Sequence, residues 1–98
     1  MSTNITPISV ADDGFVITES DTDKIADDAG NTKGYRNCYV HNSHTAAGIV
    51  KVTTVKGTEL SVMINSGDTF PLAVQQVWST DTDAALIGNL IGLVATSR

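Results

Sequence analysis

The residues best suited to metal chemistry lie close together near the middle of the chain. Cys38, His41 and His44 follow one another at spacings of three. Zinc sites need four ligands, or three and an open position, and the sequence holds no further Cys or His. In a strand, residues three apart point to opposite faces, so Cys38 and His41 could not reach one ion. We therefore expect no metal and no other cofactor, with Cys38 a small buried thiol.

The same residues raise the possibility of nucleophilic catalysis. A reactive cysteine needs a base within reach and an electropositive setting. The chain instead carries 6 basic and 11 acidic residues, a formal net charge of -5. Ser20 and Asp21 could form a triad with His41 or His44, but these residue types are common enough to occur together by chance. We expect that the protein is not an enzyme.

Pairs of aspartates raise the possibility of a calcium site. Asp21 and Asp23 begin like an EF-hand loop, but no glycine stands at loop position six and no glutamate at position twelve. Ser, Thr and Asp side chains also bond to nearby backbone amides in turns. We expect these carboxylates to serve in turns.

Charge and hydropathy exclude two further classes of partner. The lysines and arginines are scattered and form no basic stripe, which argues against nucleic-acid binding. The apolar run at residues 84–95 is interrupted by Asn89 and is well short of the roughly 20 residues that a membrane helix requires. The start of the chain lacks the pattern of a signal peptide. We expect a soluble protein made in a reducing cytosol.

Short β-type segments separated by turn residues follow one another from residue 49 to residue 78. Residues 49–55 are almost all β-branched, and residues 60–64 alternate in polarity. Gly57 and Gly67 lie in the turns between segments. Residues 69–72, which contain Pro71, and residues 74–78 are predicted as two further β-type segments. Earlier in the chain, residues 15–18 and 37–41 predict strands, and residues 24–29 a single helical turn.

The last apolar segment, residues 84–94, is predicted as one strand. Gly88 and Gly92 would each cost a helix about 1 kcal/mol. An apolar run on both strand faces suits a central strand or one covered by a neighbouring subunit. Trp78 suits the end of a sandwich or an interface. The residues expected at a subunit interface are therefore Leu86, Ile87, Leu90, Ile91, Leu93 and Trp78.

These segments add up to about seven strands with closely spaced turns, which predicts an all-β fold, a small antiparallel β-sandwich or compact barrel. We expect a single β-domain over residues 15–98 and an extended N-terminal arm over residues 1–14. A domain of 98 residues with one cysteine has a limited core and no internal disulfide, so oligomerisation is the expected supplement. The arm offers small anchors for attachment to a partner: Ile5, Pro7, Ile8 and Val10.

Residues 15–94 resemble, in the order and spacing of their segments, a family of small virion proteins of tailed bacteriophages and gene transfer agents. The runs that carry the resemblance are FVITESDT at 15–22, YV at 39–40, GIVKV at 48–52, GT at 57–58, SGDTFPL at 66–72, VWSTDT at 77–82 and the last apolar strand. The loop at residues 27–34 is longer than is usual in the family, and Trp78 replaces a smaller residue.

The resemblance implies a non-enzymatic capsid decoration (cement) or head-spike base protein. Such a protein is made in the host cytoplasm and sits on the capsid surface of the virion. Its partners would be the major capsid protein, further copies of itself as a trimer or pentamer, and a spike or fibre protein; nucleic acid and membrane are not expected. One alternative is a carbohydrate- or receptor-binding module of a tail fibre, with Trp78, Tyr35 and Tyr39 as its platform. Another is a subunit of a tail tube or connector.

Overall fold

The computed structural model describes residues 11, 13–27, 34–35 and 37–94, and these form one antiparallel sheet. Its strands are β1 (Asp13–Val16), β2 (Cys38–Asn42), β3 (Gly48–Thr54), β4 (Glu59–Ile64), β5 (Thr69–Val77) and β6 (Leu90–Val94). Two short 3-10 helices, η1 (Ile25–Asp27) and η2 (Ala84–Leu86), lie between strands. The predicted all-β class is confirmed, with six described strands in place of about seven.

The strand order is β1-β6-β2-β5-β3-β4, which leaves β1 and β4 at the two edges. Among these strands only β3 and β4 are neighbours both in the chain and in the sheet. Gly57, at φ 89°, lies in the turn between them, where a left-handed backbone favours glycine. Gly67, at φ 78°, serves the turn into β5. The turns predicted at these two glycines are therefore confirmed.

Pro71 does not divide β5, and the prediction of two separate segments there is wrong. β5 pairs with β3 only from Val74 to Val77, so Pro71 lies outside that ladder. The register of β5 against β2 shifts between the pairs Val40–Phe70 and Cys38–Val74, which marks an irregularity around the proline. A proline lacks the N–H that a ladder needs, and at such a position none is lost.

The prediction of one strand over residues 84–94 is also wrong. The segment begins with η2, turns at Gly88 with φ 88°, and enters β6 only at Leu90. Within β6 the predicted alternation holds, since Leu90, Gly92 and Val94 are buried while Ile91 and Leu93 are half-buried. The strand at residues 15–18 is likewise shifted, because β1 starts at Asp13. The helical turn predicted at residues 24–29 corresponds to η1.

The described part of the chain has one aliphatic core. All the strands except β1 contribute buried side chains, and Ile17, which directly follows β1, adds another. Phe15 of β1 packs against the core from one side. The core consists of Ile17, Ile25, Cys38, Val40, Val50, Val52, Ile64, Val74, Val77, Leu86, Leu90 and Val94. Few aromatic rings are available, so branched aliphatic side chains supply most of the hydrophobic burial.

Asn42, at the end of β2, is a fully buried polar residue in this apolar setting. Its Nδ2 donates to the carbonyl oxygens of Ala46 at 2.9 Å and Ile64 at 3.0 Å. Its Oδ1 accepts from the backbone N–H of His44 at 2.9 Å. The amide is thereby satisfied at both ends, as burial requires.

We expect Gly92→Ala to destabilise the fold. A Cβ at this position would lie 2.7 Å from Cζ of Phe15 and 3.0 Å from Sγ of Cys38. Overpacking of this kind costs about 1–3 kcal/mol, and chemical denaturation would measure it as a lower free energy of unfolding. The control is Gly67→Asn, because nothing lies near a Cβ at Gly67 and Asn tolerates its positive φ. Equal stability of the Gly92→Ala variant and the native protein would contradict the packing described here.

Candidate interaction surfaces

The cysteine and the two histidines do not converge. Cys38 is buried on the core face of β2, whereas Nδ1 of His41 contacts Oγ1 of Thr69 at 2.9 Å on β5. His44 lies in the following loop, where its Nδ1 accepts from the N–H of Thr45 at 2.8 Å. Among the residues that the structure describes, no group of three or more His, Cys, Asp or Glu could hold a metal ion.

Burial also sets the chemistry of the thiol. Cys38 is 3% exposed, and desolvation raises its pKa to about 12. The thiolate is the nucleophilic form of cysteine, and burial in apolar surroundings disfavours it. Cys38 therefore behaves in the folded protein as a small apolar side chain.

Two turns that are far apart in the chain, at residues 20–23 and 79–83, meet in the structure, and Asp21 joins them. Its Oδ1 accepts from the N–H of Ser79 at 3.1 Å, from Oγ of Ser79 at 3.0 Å and from the N–H of Thr80 at 2.8 Å. Its Oδ2 accepts from the hydroxyl of Thr80. The Thr80 hydroxyl and then the Thr80 amide are the main causes that lower the pKa of Asp21 below its ordinary value. We call this set of contacts the Asp21 clasp.

The clasp is anchored to the end of β5. The N–H of Ser20 donates to the carbonyl oxygen of Val77 at 2.9 Å, and Nε2 of Gln76 donates to the carbonyl oxygen of Ser20 at 2.9 Å. Oγ of Ser20 accepts from the N–H groups of Thr22 at 3.2 Å and Asp23 at 3.0 Å. The carboxylate and hydroxyl groups of residues 20–23 thus organise turns and hold one turn against the other.

Trp78 lies directly after β5 and is held by two neighbours on β3. Its Nε1 donates to Oγ1 of Thr53 at 2.9 Å, and Nζ of Lys51 lies 4.1 Å from the centroid of its ring. Lys51 also pairs with Glu59 at 3.6 Å and with Asp81 at 3.7 Å. An ammonium over an indole face is attractive, and here it covers one face of the ring.

The three aromatic residues proposed as a platform for carbohydrate or receptor binding pack against different neighbours. Tyr35 stacks on Phe15 with ring centroids 5.7 Å apart, and its hydroxyl donates to Asp13. Tyr39 is half-buried on β2 and pairs with Leu93 of β6. Trp78 is two strands away from β2, beside β3. No described contact joins the three rings into one surface.

The residues predicted at a subunit interface divide into two groups. Leu86 and Leu90 are 1% and 0% exposed, so they belong to the protomer's own core and have no surface for a neighbour. Ile87 is exposed, whereas Ile91, Leu93 and Trp78 are half-buried. The predicted attachment residues Ile5, Pro7, Ile8 and Val10 lie outside the described residues.

The edge strand β4 presents apolar side chains that the sequence analysis did not single out. Leu60 is 40% exposed and Met63 is 57% exposed. They lie on opposite faces, since Leu60 pairs with Val52 and Met63 with Ile49. The alternation of residues 60–64 identified the strand. Only its place at the edge of the described sheet accounts for the exposure of an apolar side chain on each face.

Comparisons of the chain with family models, with curated proteins and with solved structures gave no match. In the described part of the chain, no helix has the length and apolarity to cross a membrane. The geometry of the described residues is therefore the basis for the proposals that follow.

The thiol of Cys38 is expected to resist modification in the native protein. With a pKa of about 12, only about one part in ten thousand of the thiol is ionised at pH 8. Ellman's reagent should therefore react slowly with the native protein and fully after addition of denaturant. Rapid reaction of the native protein would show that Cys38 is accessible, contrary to its burial.

The Asp21 clasp makes stability depend on pH in the acid range. The folded-state pKa of Asp21 is depressed from its ordinary value of 3.8, so its contribution is present above that value and is lost as pH falls through the lower folded value. We expect Asp21→Asn to lower the thermal midpoint at neutral pH, and the difference from the native protein to shrink in strong acid. A thermal series in pH, with Asp68→Asn at an exposed turn as the control, measures this. A difference that stays constant with pH would exclude the charge of Asp21 as its source.

Proposed function

We propose that the protein is a non-enzymatic structural subunit of a phage virion, which binds the capsid surface as a symmetric oligomer. The observation that carries the proposal is the ordered set of segments over residues 15–94 that resembles capsid decoration and head-spike base proteins. The partner is then the major capsid protein. The role is to reinforce the shell or to mount a spike on it.

The structure supports the view that these segments form one unit. The segments at 15–22 and 77–82 are far apart in the chain, yet the Asp21 clasp joins them through Ser79 and Thr80. Val52, in the segment at 48–52, pairs with Val77, in the segment at 77–82. Phe70, in the segment at 66–72, pairs with Val40, in the segment at 39–40. The resemblance thus extends to segments that contact one another in the fold.

The residues that could have formed a catalytic triad have other roles. Asp21 accepts from Ser79 and Thr80, and Oγ of Ser20 accepts from backbone amides of its own turn. His41 contacts Thr69 on the neighbouring strand. These contacts favour a structural use of the polar residues over a catalytic one.

An accessible surface for assembly is present at β4. A decoration protein must contact other subunits through groups that its own fold leaves open. The exposed Leu60 and Met63 are such groups. They support an assembly role, since apolar side chains at an open sheet edge favour contact with a further chain.

The proposal is tested on particles of the virus that encodes the chain. Mass spectrometry of purified virions should find the protein at a fixed ratio to the major capsid protein, and cryo-electron microscopy should place it on the outer surface. Its absence from purified virions would refute the proposal.

Deletion of residues 1–12 should leave the β-domain folded and weaken its binding to the shell. An ordered extended arm costs about 1–2 kcal/mol of backbone entropy per residue, so its anchors must make real contacts with the partner. Co-sedimentation with particles that lack the protein measures the occupancy. The control replaces residues 1–12 with a Gly/Ser segment of equal length. Full occupancy of the deletion variant would exclude the arm as the anchor.

A further inference from the structure

The outer edge of β4 is open among the described residues. β4 stands at the end of the strand order and pairs with β3 alone. The ladder between them runs through six residue pairs, from Thr53–Glu59 to Gly48–Ile64, and its register is continuous. β4 is therefore a regular strand whose outer side bonds to no other described strand.

The register shows which backbone groups project from that side. The N–H of Thr54 donates to the carbonyl oxygen of Thr58 at 2.8 Å, so the backbone groups of Thr54 and Thr58 face each other across the hairpin. Hydrogen-bonded and non-hydrogen-bonded pairs alternate in an antiparallel ladder. Leu60 and Val62 thus bond towards β3. The backbone N–H and C=O groups of Glu59, Ser61 and Met63 point outwards.

This edge lacks the features by which proteins protect a free strand. β4 contains no proline and no lysine, and its one charged residue, Glu59, is paired with Lys51 at 3.6 Å. Leu60 and Met63 expose apolar surface on both faces. A regular, apolar edge of this kind is a template for the addition of another strand.

We propose that β4 pairs in antiparallel fashion with β4 of a second copy, about a two-fold axis centred on Ser61. Ile64 is buried at one end of the strand, so the accessible segment is residues 59–63, and Ser61 is its midpoint. A two-fold axis through this residue sets Ser61 opposite Ser61 of the second copy. It also sets Glu59 opposite Met63 and Leu60 opposite Val62. All the residues with outward backbone groups then lie in hydrogen-bonded pairs.

The side chains match in this register, which argues for a second copy as the occupant. On the core face, Val52 and Leu60 of one copy continue into Val62 and Val50 of the other, an apolar row throughout. On the opposite face, Glu59 meets Met63 and not another carboxylate. The lysines at position 51, which pair with Ser61 in each copy, are separated by both serines. Like charges directly opposite one another, which destabilise cross-strand pairs, are therefore avoided.

The contact is small, so we expect a reversible dimer. Five residues from each copy form an interface at or below the low end of the range for stable complexes, which is about 1,200 Å². Sedimentation velocity over a concentration series of the full chain should show a monomer–dimer equilibrium. The inference concerns the free protein and is independent of whether the protein binds a capsid.

Ser61→Pro tests the backbone pairing. The proline removes an N–H that points outwards, so the ladder to β3 is retained while the new pairing is blocked. We expect the dissociation constant to rise by about tenfold or more. Circular dichroism checks that the variant is folded.

A matched pair of variants identifies the edge that is used. Met63 on β4 and Val16 on β1 are 57% and 58% exposed, at opposite edges of the sheet. Met63→Glu should weaken the dimer, because it sets a second carboxylate opposite Glu59 of the other copy, whereas Val16→Glu should leave the dimer unchanged. An equal loss of dimer affinity in both variants would mean that β4 pairs with β1 of the neighbouring copy, and would overturn the proposal.

Cysteine substitution tests the register. Opposed residues in a hydrogen-bonded pair have Cα atoms about 5.5 Å apart, a separation that a disulfide can bridge. Ser61→Cys should therefore give a cross-linked dimer under mild oxidation. Met63→Cys should not, because its own counterpart is about four residues, or about 14 Å, further along the strand. Buried Cys38 makes the native protein a control that does not cross-link.

Three results would overturn the proposal. The first is a native protein that stays monomeric at its highest soluble concentration. The second is a trimer or pentamer that survives Ser61→Pro unchanged. The third is a dimer that dissociates when residues 1–10 are deleted, since the N-terminal segment would then be the occupant of the edge.

Discussion

The connection between two strands of this sheet that are not neighbours depends on a buried side-chain amide. β2 and β4 are separated in the sheet by β5 and β3, so no ladder joins them. Asn42 nevertheless reaches from the end of β2 to the carbonyl oxygen of Ile64 at the end of β4, and it also holds the loop that leads into β3. Because an unsatisfied buried polar group costs about 1–3 kcal/mol, the amide and its partners have to be placed together. This constraint ties the end of β2 to the end of β4.

The Asp21 clasp joins distant parts of the chain by a different kind of interaction. It is exposed, and its acceptor is a carboxylate, whereas Asn42 is buried and does not titrate. The two contacts therefore respond differently to solvent. The buried amide is insensitive to acid and salt, whereas the carboxylate at the surface is exposed to both. Polar side chains, both inside and outside the aliphatic core, thus add to the long-range connections that the strand ladders make.

Local features of the fold could be predicted from the sequence, and the arrangement of the strands could not. β-branched runs and the glycines at 57 and 67 located β3, β4 and their turns, because strand preference and left-handed backbone are local properties. Pro71 misled the prediction for β5, since its effect depends on whether a neighbouring strand needs its N–H. Leu86 and Leu90 were assigned to an interface because the segment is apolar on both faces of the predicted strand. Their burial within the protomer depends on η2 and on strands far away in the chain, which the local pattern does not show. The open edge at β4 likewise follows from the strand order, which no local pattern encodes.

The pairing of β1 with β6 has a consequence for the time course of folding. These are the first and the last of the described strands, and β6 is the one neighbour that β1 has in the sheet. During synthesis, the β3–β4 hairpin can form early from contacts close in sequence, but β1 has no strand to join until β6 has been made. Contacts between distant segments slow the folding of a chain, because loop closure must precede their formation. For most of the period of synthesis the nascent sheet therefore has unpaired strands. A chaperone that shields β1 and Phe15 during that interval would protect the chain from premature association.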